Sequence, residues 1–103
     1  MPDNEKLFKI LGFAQRARKL TLGLSATLRV LSKGKAQVVI LASDLAPNSK
    51  SEIAAAAQAA KVPVYVIAEK NAFGKLFDRR EVGIIGVVDA NFAKAVREII
   101  SQK

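Results

Sequence analysis

The chain has no cysteine and no histidine. The first absence rules out a disulfide framework, a thiolate metal site and a cysteine nucleophile. The second removes the commonest general base and the commonest metal ligand in one step. No apolar run approaches the ~20 residues that a membrane-spanning helix needs. The opening MPDNEKLF has neither a basic stretch nor a continuous apolar core, so no signal peptide is expected and a cytoplasmic protein is the default. The most informative shortage is of acid. From Lys6 to Ser43 there is no carboxylate, yet Lys6, Lys9, Arg16, Arg18, Lys19, Arg29, Lys33 and Lys35 all lie there.

That shortage localises the charge. The formal net charge is +8, with an isoelectric point of about 10.1. Residues 44–103 nearly balance, with nine cations against seven anions, so the excess belongs to the first half. A basic chain without a membrane-type segment points to a polyanionic partner, most often nucleic acid. An even spread would suit a protein that is basic for solubility alone, and this spread is uneven. The 103 residues are half hydrophobic and a quarter charged. That suits one folded domain over residues 1–103, with no linker, internal repeat or low-complexity segment.

Periodicity places the elements. Leu7, Ile10, Leu11 and Ala14 recur at helical spacing, with Phe8 and Phe13 widening the apolar stripe. Asp3 or Asn4 is the expected cap, and the helix should end near Ala17, where Arg16, Arg18 and Lys19 meet the negative end of its dipole. Leu20 and Thr21 form a short extended link or brief edge strand. A second helix should start near Gly23, capped by Thr21 or Gly23, with Leu24, Thr27, Leu28 and Leu31 inward. Ser25, Arg29 and Lys33 follow at i, i+4 and i+8 as one polar row, and Gly34 should close the helix in a left-handed conformation. The continuous apolar run 36–42 predicts a strand buried on both faces. Ser49 and Glu52 suggest a capping box opening an alanine-rich helix over 50–60. Strands over 62–68 and 82–88 flank a short helix over 71–77 and the charged loop 78–81. Asp89 or Asn91 should cap a last helix with Phe92, Ala95, Val96, Ile99 and Ile100 inward. Alternating elements of this kind predict an α/β fold, a sheet between helix layers.

Candidate chemistry is sparse. Asp44 and Asp89 each follow a strand, where α/β sites often form. The simpler reading is that Asp44 begins a turn and Asp89 caps a helix. Gly12, Gly23, Gly83 and Gly86 match no phosphate-cradling fingerprint. Residues 21–35 remain. A helix start offers free N–H donors and a positive dipole end, which suits a phosphate. Gly23 leaves the backbone open there, Ser25 adds a hydroxyl, Arg29 a planar fork, and Lys33 and Lys35 extend the positive surface. A module with a basic face for an acidic protein partner is the rival reading.

Several stretches resemble one family in their order and spacing. They are AQRARKL (14–20), Gly23 through Gly34 with a basic residue at 29, VVILASD (38–44), VPVYVI (62–67), FGKLF (73–77) and VVDANFAKAV (87–96). Together they resemble the kink-turn-binding ribosomal proteins, the L-seven-Ae family, and in particular its small bacterial YlxQ-like branch. The resemblance covers nearly the whole chain. It implies a three-layer α-β-α sandwich around a small mixed sheet of about four strands. It also implies binding of structured RNA, ribosomal or otherwise kink-turn-like. The residues themselves suggest no catalysis, metal or cofactor and no DNA or membrane partner; a monomer is the default expectation, with the oligomeric state left open. In that family a glycine, an Asn-Glu pair and a lysine at the start of the second helix read guanines. Here Gly23 keeps the glycine, Arg29 stands for the lysine, and Ser25 and Ala26 replace the Asn-Glu pair. Ala26 supplies no acceptor for a guanine edge and Ser25 a shorter reach, which touches base reading more than phosphate binding. The family also closes the loop before the last strand over a flipped-out nucleotide, which here implicates Arg79, Arg80 and Val82. With Lys19, Lys33 and Lys35 these residues complete the expected binding face.

Overall fold

The computed structural model describes residues 4–101. Along the chain run α1 (Asn4–Arg16), β1 (Leu20–Leu22), α2 (Leu24–Ser32), β2 (Val38–Leu41), α3 (Pro47–Ala59), β3 (Val64–Val66), α4 (Lys70–Leu76), β4 (Ile84–Val87) and α5 (Ala90–Ser101). The sheet order is β1-β4-β2-β3. The strand β4 is antiparallel to both β1 and β2, and β3 lies parallel to β2. All four residues of β2 and of β4 are buried, as their uninterrupted apolar runs demand of central strands. The edge strands β1 and β3 are only partly covered.

Alternation along the strands sends side chains to opposite faces and so builds two cores. On one face Val38, Ile40, Ile85 and Val87 meet Leu7 and Leu11 of α1, Phe73 of α4, and Ala93 and Val96 of α5. On the other, Val39, Leu41 and Ile84 meet Leu31 of α2 and Ile53 and Ala57 of α3. Each fully covered Leu or Ile contributes roughly 1.5–3 kcal/mol. The result is the expected three-layer sandwich with a four-stranded mixed sheet.

Some details depart from expectation. The helix α3 begins at Pro47 with Ala46 as its cap, and no side chain caps it. Proline suits a first helical position because the N–H it lacks would be unpaired there. Ser49 therefore lies inside the helix, and the expected capping box does not form. Phe13 is 48 % exposed instead of joining the core, and the Arg16 guanidinium lies 4.9 Å from its ring centre. The strand expected over 62–68 shortens to Val64–Val66, the three residues that pair with Val39, Ile40 and Leu41 of β2. In α5, Ala93 is fully buried while Ala95 is only partly covered. Asn4 is itself the first residue of α1, which leaves Asp3 as the expected cap, outside the described residues.

Candidate functional site

The start of α2 is built on a glycine. Gly23 caps the helix at φ 96° and ψ 168°, a backbone that side-chain-bearing residues rarely adopt, and no side chain caps the first turn. That turn carries no acid. Its free N–H groups and the positive end of the dipole therefore face outward without competition from a carboxylate. Ser25 and Arg29 are exposed and lie one turn apart on the same side, whereas Thr27 and Leu31 point into the molecule.

What seats this helix is Gly86 in the centre of β4. A Cβ there would collide with Thr21 Oγ1 and come within 3.1 Å of Thr27 Cγ2. Without it, α2 lies close on the sheet, and the Thr21 and Thr27 hydroxyls, 2.9 Å apart, share a hydrogen bond. Thr27 is fully buried, and this bond satisfies its hydroxyl.

Tertiary pairing brings the charged loop to the same place. Gly23 N–H donates to the Ile84 carbonyl at 2.9 Å, so the start of α2 meets the start of β4. The loop 78–83 feeds that strand. It is folded back on α4 because Arg79 N–H donates to Gly74 O at 2.7 Å and Val82 N–H to Lys70 O at 3.1 Å. A Cβ on Gly74 would stand 2.8 Å from the Arg79 carbonyl, so the close approach requires glycine. Lys70 Nζ lies 3.8 Å from a Glu81 carboxylate oxygen. Arg79 and Arg80 are exposed on the loop. Val82 is not: it is 5 % exposed and belongs to the core shared with α1 and α5. Its expected side-chain contact with a ligand is thus corrected. The valine is an apolar residue two positions before β4, and the core claims it.

The remaining expected residues separate. The strand β1 runs toward Gly23 and α2 runs back, so the end of α2 lies ~13 Å from its start at 1.5 Å per residue. Lys33 is the C-cap of α2, and Lys35 follows Gly34 beyond it. Lys35 N–H donates to Val30 O and Gly34 N–H to Leu31 O, a Schellman closure with Gly34 at φ 71°. Lys19 precedes β1, and its carbonyl accepts from Val88 N–H at the exit of β4. Lys19, Lys33 and Lys35 therefore occupy the end of the sheet opposite Gly23, Ser25, Arg79 and Arg80. Arg29 lies between, toward the middle of α2. The single continuous cationic face expected around Gly23 becomes two regions.

The two aspartates after strands have structural tasks. Asp44 Oδ1 accepts from Lys70 N–H at 2.8 Å, so a turn after β2 caps α4 from a distance. Asp89 Oδ2 accepts from Phe92 N–H at 2.9 Å and caps α5. Sequence spacing identified the second cap but not the first, since Asp44 and Lys70 are 26 residues apart. Among the described residues no group of three or more carboxylates is placed to hold a metal ion. None of the described helices is long and apolar enough to cross a membrane.

Known proteins resemble this chain in sequence or in fold. The RNA-binding protein YlxQ of Enterococcus faecium is 26% identical over 98 residues, covering 95% of this chain and 94% of its own. The large ribosomal subunit protein eL30 of Eremothecium gossypii is 33% identical over 93 residues, covering 85% of this chain and 86% of its own. A solved Bacillus halodurans protein of unknown function superposes with a TM-score of 0.88 at 29% identity, over 93% of this chain and 97% of that one. The sequence pattern of the ribosomal protein L7Ae/L30e/S12e/Gadd45 family matches residues 5–97. With the α-β-α sandwich and the glycine-started second helix, that match over most of its length makes this chain a member of the L7Ae/L30e/S12e/Gadd45 family.

Proposed function

We propose that the protein is a non-catalytic, ribosome-associated RNA-binding protein. It holds a structured, kink-turn-like RNA between the start of α2 and the loop before β4. The observation that carries this reading is the Gly23 N–H to Ile84 O bond, by which a helix start without a side-chain cap shares one end of the sheet with the Arg79-Arg80 loop. The helix start offers N–H donors to a phosphate, and Arg29 offers a fork to a phosphate or a guanine edge. Ser25 and Ala26 offer little base reading, so recognition leans on RNA shape. The names of YlxQ and eL30 support the same partner class.

The test is a gel-shift or fluorescence titration with a kink-turn hairpin and with the same hairpin lacking its tandem G·A pairs. Binding should favour the kinked RNA. Arg29→Ala should weaken it by ~1–3 kcal/mol, the range for a lost fork to a base or phosphate. Equal affinity of wild type and Arg29→Ala for the kinked hairpin would remove the site.

A further inference from the structure

The connections at the two ends of the sheet carry opposite charge. Those at the Gly23 end hold Asp44, Glu69, Asp78 and Glu81 against only Arg79 and Arg80. Those at the far end hold Arg18, Lys19, Lys33, Lys35 and Lys61 against only Asp89. Backbone bonds assemble this far group from three separate connections. Lys19 O accepts from Val88 N–H, Gln37 N–H donates to Val87 O, and Val39 N–H donates to Pro63 O just beyond Lys61. All five cations are exposed, and none is ion-paired among the described residues. The Asp89 carboxylate is occupied with Phe92 N–H. Adjacent strands lie ~4.8 Å apart, so neighbouring connections sit within the ~10 Å Debye length of 0.1 M salt and their fields add. Arg16 and the exposed Phe13 ring stand at the same end, in the last turn of α1. The Arg16 guanidinium lies over that ring and adds a sixth exposed cation to the group.

We propose that this far end is a second RNA surface, gripping the phosphates of an RNA segment other than the one held at the start of α2. The protein then joins two RNA segments across its sheet. RNA as the partner is the premise shared with the proposed function; the surface itself is separate. Because these cations are exposed side chains on surface connections, they hold backbone and not sequence. A plain duplex suffices as the probe.

The experiment uses the full chain, a donor-labelled kink-turn hairpin and an acceptor-labelled, unbulged RNA duplex of ~20 base pairs, a site length in the range of RNA-duplex readers. The far-end variant combines Arg16→Gln, Lys19→Gln, Lys33→Gln and Lys35→Gln. Arg18 is left alone because its φ is 61°. The variant should bind the duplex at least about tenfold more weakly at ~50 mM salt, with a log-log salt slope smaller by about three. Wild type with both RNAs should show energy transfer. The variant should lose it while still binding the hairpin. Single Lys33→Gln and Lys35→Gln variants, each lowering the slope by about one, carry the test if the combined variant does not fold. Unchanged duplex affinity and slope would overturn the proposal, as an acidic protein partner would produce. So would one-for-one competition between hairpin and duplex without energy transfer. An Arg29→Ala variant that still binds the hairpin normally would overturn the α2 site alone, and the duplex measurements would still decide the far end.

Discussion

The two ends of α2 make an instructive pair. Both are bounded by a glycine with positive φ, 96° at Gly23 and 71° at Gly34. They differ in everything else. At Gly23 the helix start is tied to β4, the neighbouring loop is clamped to α4, and acids outnumber cations on the surrounding connections. At Gly34 the helix closes on its own carbonyls, and cations from three connections collect around it with little acid. One end has positioned donors and little net charge; the other has charge on surface connections. Positioned donors suit a ligand of one shape, whereas a field from exposed lysines suits a polyanion of many shapes.

The comparison can be broken most forcefully at the seat of α2. Gly86→Ala would drive a methyl group against Thr21 and Thr27. It should cost ~1–3 kcal/mol, as overpacking of a tight core does. Thermal melting would show a fall of about 4–8 °C per kcal/mol. An unchanged melting temperature would mean that α2 does not rest on that glycine. Next in size is Gly23→Ala, which forces a side chain into a left-handed backbone at a cost of ~1–2 kcal/mol. Kink-turn affinity should fall along with stability. A loss of stability with intact affinity would detach the helix start from recognition.

Gly34→Ala sharpens the contrast from the other side. It should cost about 1 kcal/mol through the same backbone preference. Because Lys33 and Lys35 flank it, plain duplex binding should suffer more than hairpin binding. The reverse order would exchange the roles of the two ends. The smallest effect belongs to Lys70→Gln. Its ion pair with Glu81 is long and partly exposed, so denaturant melting should move by no more than ~0.5 kcal/mol. A larger change would show that the ion pair, and not the backbone bonds to Gly74 and Lys70, holds the Arg79-Arg80 loop.

Much of the fold was legible because its signals are local. The run VVIL reads as a central strand by composition, and Asp89 reads as a cap because Phe92 is three residues away. Leu7, Leu11 and Ala14 read as core by spacing, and all three are buried. Errors arose where two local signals competed. Ser49 and Glu52 imitate a capping box, but Pro47 already starts the helix. Phe13 continues an apolar stripe, yet it is exposed, and Arg16 covers its ring. Val82 reads as the first residue of the last strand, yet it lies before β4 and in the core, since its burial depends on α1 and α5 from the opposite ends of the chain.

The sequence by itself determined the elements, the glycine before α2 and the uneven distribution of acid, because each of these is a property of neighbouring residues. Only the tertiary structure decided where that charge resides. Strand β1 and helix α2 run in opposite directions, so Lys19 and Lys35 come together at the exit of β4 while Gly23 goes to its entrance. Nearness along the chain became distance in space, and the hydrogen bonds of the sheet, not the order of residues, set which cations share a surface.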